Sequence, residues 1–278
     1  LEQSGIAILK KIRLETGKKI NTMFSGSYRS AFKGYGLLFD SVREYISGDD
    51  VRNIDWNVSA RMNHLYVREY IEERELSVVL MVDISASTQF GVSRTKGDVM
   101  LEFVTLILYL AQMNNDRISL LLFTDRVEKF IKPRKGRKFI LKVLDEIINT
   151  IPSGKGTDIS AAVDYLNRVM KKRSIIFVVS DFMDRGSDFL TRLKILSRKH
   201  DVIPVQVFDP LEKGMSLPGL TEFFDLESGK TFYSDYSEHS CNLPDTGFAG
   251  SMRLSTEEPI ESSVLNFFEK RRKGRSLK

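Results

Sequence analysis

The apolar positions of this chain change rhythm at Ser77. Upstream they are scattered, and downstream they alternate between short continuous runs and stripes at helical spacing. The run SVVLMV has no charged break and stops at Asp83, as a strand buried on both faces of a parallel sheet does. A turn carrying Ser85, Ser87 and Thr88 follows. The segment Thr95–Asn114 then places Met100, Phe103, Val104, Ile107, Leu108 and Ala111 on one stripe, which predicts a helix. Strands are predicted at Arg117–Phe123, at Val127–Ile131 as an edge, at Ser174–Ser180 and at Val202–Phe208. Helices are predicted at Arg137–Asn149, from Ile159 after an Asp158 cap, at Ser187–His200 and at Glu257–Lys270. Strands alternating with helices at this spacing predict an α/β fold, a mostly parallel sheet with helices on both faces.

The remaining segments read differently. Residues 1–20 suit a short amphipathic helix with Ile6, Ile8, Leu9, Ile12 and Leu14 on its apolar side. Residues 21–76 are rich in Arg, Asp, Glu, Tyr and Gly and show no sustained period before Leu65; a strand is expected over His64–Ile71. The pattern therefore divides the chain into an N-terminal helix and charged arm, 1–74, packed on a main domain, 75–278. Residues 209–256 hold most of the prolines and a hairpin expected at Leu226–Thr231.

Composition narrows the classes. The 278 residues are 42% hydrophobic and 28% charged, ordinary for a globular protein. No apolar run reaches the roughly 20 residues of a membrane helix. The opening LEQSGIAILKKIRLETGKK lacks the apolar core and cleavage site of a signal peptide. The single cysteine, Cys241, forms no internal disulfide and suits a reducing compartment, so a cytoplasmic protein is expected. The net charge of +5 gathers partly in Lys10, Lys11, Arg13, Lys18, Lys19 and the terminal KRRKGRSLK. Without interleaved aromatic residues this is read as solvated chain ends rather than a nucleic-acid platform.

Three predicted strand ends carry oxygen donors. Asp83, Ser85 and Ser87 form D-x-S-x-S, Thr157 stands in GTD before a helix, and Asp181 follows SIIFVVS. The carboxyl ends of such strands are where open α/β sheets bind ligands. Two carboxylates and three hydroxyls make a hard set suited to one Mg²⁺ or Mn²⁺. A cation held partly through hydroxyls keeps positive charge and an open position, which attracts a carboxylate from outside.

The set DISAS, GTD and SD in this order resembles the metal-ion-dependent adhesion site of a von Willebrand factor A domain. The resemblance implies a von Willebrand factor A-like fold and a cation bound by Asp83, Ser85, Ser87, Thr157 and Asp181. Upstream, Arg43, Tyr45, Gly48, Asp49, Asp50, Arg52, Ile54, Asp55 and Trp56, then Ala60 and Arg61, match the signature R-x-Y-x-x-G-D-D-x-R-x-I-D-W. That signature and FTDRVEKFIKPRKGRK are similar to a bacterial family known as domain of unknown function number fifty-eight, over about residues 35–210. Membership implies association with MoxR-type AAA+ ATPases, as an adaptor or chaperone-like partner; an Asp or Glu of such an ATPase or its client is then the expected group to complete the coordination of the cation.

The signature segment has two readings. In one, Arg43, Arg52, Arg61 and Arg68 pair with Asp49, Asp50, Asp55 and Glu69 and clamp the arm onto the sheet, with Trp56 as buried anchor. In the other it is a docking surface. Enzyme classes fit less well. A haloacid-dehalogenase-like phosphatase needs a second aspartate where Ser85 stands. GKG at 154–156 is no phosphate loop; there is no G-x-S-x-G, and His64, His200 and His239 are scattered. A Mg²⁺- or Mn²⁺-dependent phosphoester hydrolase is the alternative, because a bound cation acidifies water. The expectation is a non-enzymatic, metal-dependent protein-binding module.

Overall fold

The computed structural model describes residues 18–32, 37–72, 75–183, 188–213, 220–224, 231–235, 248 and 250–275. In chain order these form helix α1 (Lys18–Phe32), strand β1 (Leu37–Glu44), helix α2 (Trp56–Met62), and strands β2 (Tyr66–Glu72) and β3 (Ser77–Asp83). Next come α3 (Lys96–Met113), β4 (Arg117–Phe123), β5 (Val127–Arg134), α4 (Arg137–Asn149), α5 (Ile159–Val169) and β6 (Ile175–Ser180). The rest is α6 (Phe189–Ser197), β7 (Asp201–Phe208), β8 (Leu220–Phe224), β9 (Thr231–Asp235), β10 (Met252–Ser255) and α7 (Ile260–Arg275).

Six strands form the main sheet in the order β10–β7–β6–β3–β4–β5. All pairings are parallel except β4 with β5. Val82 lies level with Leu122 on one side and Val179 on the other, so Asp83 reaches the carboxyl rim beside the end of β6. Side chains alternate between faces. Val79, Met81, Leu121, Phe123, Ile176 and Val178 join Ile159, Val163 and Leu166 of α5 and Leu193 and Leu196 of α6 in one core. On the other face Phe103 of α3 meets Phe177 edge-on at 5.7 Å, and α4 and α7 flank α3. Burial of residues such as Phe103, Phe177 and Leu80 stabilises the fold by roughly 1.5–3 kcal/mol each.

Local chemistry sets the helix starts. Thr95 and Asp98 form a reciprocal capping box at α3, and Asp158 accepts from the Ala161 N–H at 2.9 Å to start α5. In α1, Phe24, Tyr28 and Ala31 are buried at helical spacing. Tyr28 meets Phe268 of α7 edge-on at 5.7 Å and donates to Asp116 at 3.1 Å.

Residues Phe32–Leu76 make a separate compact unit, whereas α1 up to Ala31 groups with the residues from Ser77 onward. Here the structure corrects the expectation of no regular period before Leu65. β1 pairs antiparallel with β2, placing Arg43 opposite Val67 and Glu44 opposite Tyr66. The strand is hidden in sequence because Ser41 and Arg43 pair across the ladder with Glu69. Arg43 Nε donates to Glu69 at 2.8 Å, and Ser41 donates to the same carboxylate at 2.9 Å. Arg43 also grips Asp49 through two hydrogen bonds of 2.7 Å. That contact holds the Asp49 carboxyl down to about 2. Gly48 turns this loop at φ 112°, where a side chain would be strained.

Asp55 caps α2 through the Asn57 and Val58 N–H groups, and its other oxygen accepts from Arg68 at 2.8 Å. Arg52 pairs with Asp50 at 2.7 Å. These pairs all close within the unit. Tyr45 joins the same frame through its N–H to the Leu65 carbonyl, 2.8 Å. Trp56 is not the buried anchor that was expected. It is 66% exposed, because Asp55 occupies the cap and the inward face of α2 belongs to Ser59, which accepts from the Tyr66 N–H at 2.8 Å.

Two further differences concern the second half. Residues 209–256 contain β10, a parallel partner of β7 that the sequence pattern did not predict. The expected hairpin is β8 with β9, its turn at 225–230 outside the described residues. Ile6, Ile8, Leu9, Ile12 and Leu14 of the expected first helix also lie outside them, as do Cys241, His239 and the last three residues of the basic terminal run.

Candidate metal centre

Asp83 ends β3 and is 2% exposed. One carboxylate oxygen accepts from the Ser85 N–H at 2.9 Å and the other from the Ser180 hydroxyl at 2.7 Å. Burial, and then the negative charge of Asp181, push its carboxyl up to about 6 despite those bonds. The chain leaves β3 through a 3-10 turn, Ala86–Gln89, which the Thr88 hydroxyl tightens by donating to the Ser85 carbonyl at 2.7 Å. The Ser85 and Ser87 hydroxyl oxygens lie 3.1 Å apart in this turn. The D-x-S-x-S spacing thus gathers its three side chains by local geometry.

Asp181, also 2% exposed, follows β6 directly. Its Oδ1 accepts from the Met183 N–H at 3.1 Å, and its Oδ2 from Lys96 Nζ at 2.6 Å. Between the two, Phe182 is buried in the core with φ 59°, a left-handed backbone that bulky residues rarely adopt and that tends to mark functional sites. Its N–H donates to the Ser180 hydroxyl at 3.0 Å. Ser180 therefore links the backbone after Asp181 to the carboxylate of Asp83.

Thr157 is half-buried on the loop before α5. Asp158 anchors that loop to the end of β4, its N–H donating to the Thr124 carbonyl at 2.9 Å. Glu128 holds the other side of the loop. It accepts from the Ser153 N–H at 3.0 Å, the Ser153 hydroxyl at 2.7 Å, the Gly154 N–H at 2.8 Å and the Thr124 hydroxyl at 2.7 Å. These bonds outweigh burial and lower its pKa. A Cβ on Gly154 would lie 2.2 Å from Thr124 Oγ1 and 2.1 Å from Asp125 Oδ1, so any larger residue would push those two side chains aside.

Asp83, Ser85, Ser87 and Asp181 thus come together at the ends of adjacent strands, and the Thr157 loop is tied to the next strand. Sequence reading missed Lys96, Glu212, Ser180 and Glu128. Lys96 is 1% exposed and also donates to Glu212 at 2.7 Å. Burial opposes its charge, but Asp181 and Glu212 outweigh that and raise its pKa. Its one sequence signal is position, since a lysine opening a helix runs against the helix dipole.

Among the described residues no three His, Cys, Asp or Glu side chains converge as a metal group. A cation at this rim would rely on hydroxyl oxygens beside Asp83 and Asp181. The donor set fits a hard divalent ion. Asp181 pairs with the Lys96 ammonium, itself shared with Glu212, while Asp83 is held by an amide and a hydroxyl, so the rim carries negative charge that such an ion would balance.

Uncharacterized proteins of Mycobacterium tuberculosis and Mycobacterium bovis are 30% identical to this chain over 226 residues, covering 80% of it and 71% of theirs. Among solved structures, an aerotolerance-related membrane protein from Bacteroides fragilis, carrying multiple mutations to serines, superposes with a TM-score of 0.51. It is 18% identical and covers 70% of this chain and 99% of that one. BatB from Bacteroides thetaiotaomicron gives 0.49 at 14% identity, covering 71% and 99%. Proximal thread matrix protein 1 of the mussel byssus, with a zinc-occupied MIDAS motif, gives 0.39 at 16% identity, covering 48% and 38%. The fold is an α/β arrangement, a mostly parallel six-stranded sheet flanked by helices. Among the described residues no helix is long and apolar enough to cross a membrane. Over residues 41–242 the sequence matches the family described as "Protein of unknown function DUF58", and the chain belongs to that family.

Proposed function

We propose that this chain is a divalent-cation-dependent protein-binding module of the cytoplasm rather than an enzyme. Asp83, Ser85, Ser87, Thr157 and Asp181 would hold one Mg²⁺ or Mn²⁺, and an Asp or Glu of a protein partner would complete its coordination. The observation that carries the reading is the pairing of two buried carboxylates on adjacent parallel strand ends, beside two seryl hydroxyls 3.1 Å apart. The family resemblance suggests a MoxR-type AAA+ ATPase, or its client, as that partner.

The test is thermal unfolding against Mn²⁺ and Mg²⁺ for the natural chain and for Asp181→Ala. A cation that binds only the folded state at about 100 times its Kd adds about 2.7 kcal/mol. For a chain of this size that is a rise of roughly 5–10 °C. The rise is expected in the natural chain and not in the variant. Equal rises in both would place the cation elsewhere. Turnover of p-nitrophenyl phosphate that disappears in Asp83→Ala would replace the binding role with a hydrolase.

A further inference from the structure

Among the described residues Lys96 is the buried cation beside the candidate centre, 1% exposed, and it has two anionic partners rather than one. Its ammonium lies 2.6 Å from Asp181 Oδ2 and 2.7 Å from Glu212 Oε1. Glu212 is fixed from the far side. Its other oxygen accepts from the Asp209 N–H at 3.0 Å, and Asp209 in turn accepts from the Thr256 hydroxyl at 2.7 Å and the Leu211 N–H at 2.9 Å. The Phe90 ring closes over the ammonium at 5.7 Å from its centroid.

The arrangement has an energetic consequence. A buried ammonium left without a partner is severely destabilising. A lysine with a single carboxylate could therefore not release it to a metal. Lys96 can, because Glu212 would keep the charge paired. Asp181 would then exchange one cation for another, and no buried charge would be stranded.

Building on the metal-binding reading above, we propose that Lys96 is a built-in competitor for the divalent cation. Its ammonium occupies Asp181 when the site is empty of metal and withdraws onto Glu212 when metal arrives. The exchange sets the affinity of the site and couples it to the corner after β7, where Glu212, Asp209 and Thr256 meet. Lys96 is a regulatory residue in this scheme and not a ligand. A partner or modification that pulls Glu212 away would strengthen the hold of Lys96 on Asp181 and expel the metal.

The experiment is Mn²⁺ titration calorimetry on the full chain, at pH 7.5, for the natural protein, Lys96→Met and Glu212→Gln, with a crystal structure of the Mn²⁺-loaded natural protein. Lys96→Met is expected to bind Mn²⁺ about tenfold tighter, within the usual range of coupling between sites. Glu212→Gln is expected to bind several-fold more weakly. In the loaded crystal Lys96 Nζ should lie within hydrogen-bond reach of Glu212 and beyond 4 Å from Asp181. Equal or weaker binding by Lys96→Met would instead make the lysine a support for Asp181 and overturn the idea. So would a loaded structure with the Lys96–Asp181 contact intact. If Lys96→Met does not fold, the loaded crystal and the sign of the Glu212→Gln change decide. Absence of Mn²⁺ binding in all three proteins removes the metal site itself, and the competitor with it.

Discussion

His200, just after α6, is 2% exposed, and among the described residues neither ring nitrogen meets a hydrogen-bond partner. Burial first, then the charges of Lys199 and Arg173, lower its pKa below the ordinary 6.5. The folded state therefore binds fewer protons than the unfolded chain as pH drops below about 6.5. The stability this neutral ring permits is fully present above that pH and is lost on acidification. Urea midpoints of the natural chain should fall between pH 7 and 5, and His200→Gln should flatten that slope; an unchanged slope would clear His200 of the effect. The residues that sequence reading found and missed differ in the range of their contacts. Asp83, Ser85 and Ser87 converge through a turn of five residues, so their spacing was informative. Lys96 finds Asp181 and Glu212 across 85 and 116 residues, a separation that leaves no local pattern. Trp56 misled for another reason: a tryptophan is usually buried, but the adjacent Asp55 takes the cap and the helix turns its polar Ser59 inward.

The element that most needs outside support is the loop 150–158 before α5. It has no regular structure over Ser153–Thr157, and Glu128 on β5 holds it from one side while Thr124 holds it from the other. Glu128→Ala would leave the Ser153 and Gly154 N–H groups without their acceptor, at a cost of about 1–3 kcal/mol for bonds to a charged group. Amide hydrogen exchange over Ser153–Thr157 should accelerate while that of β3 stays slow, and Mn²⁺ affinity should drop. Unchanged exchange would mean that the loop holds its own shape. Elements with a sustained pattern were legible: the continuous apolar run Arg117–Phe123 matches β4, and the one-sided stripe of Arg137–Asn149 matches α4. Those with mixed or brief patterns were not. β1 reads LLFDSVRE and spends Ser41 and Arg43 on Glu69 of the facing strand. β10 has only four residues, with one exposed.

At the scale of the whole molecule, the family match ends at residue 242, yet the main sheet does not. β10 borders β7, the Thr256 N–H donates to the Phe208 carbonyl at 3.1 Å, and Arg94 donates to the Thr256 carbonyl at 2.6 Å. A chain ending at residue 242 should therefore unfold in urea at a clearly lower midpoint than the full chain. The same midpoint and slope as the full chain would show that the match boundary is also a folding boundary. The strand–helix alternation made the α/β class legible, but which strand stands at the sheet's edge depended on a partner nearly fifty residues downstream of β7. That late partner also imposes an order in time. As the polypeptide leaves the ribosome, β7 emerges with one flank bare, and α1 waits for Phe268 of α7 before Tyr28 can pack. Contacts that span the chain form slowly, and an unpaired strand edge invites pairing with a neighbouring chain. The interval between synthesis of β7 and arrival of β10 is when a nascent chain is most exposed to association with its siblings, and slower translation through 209–251 would lengthen it.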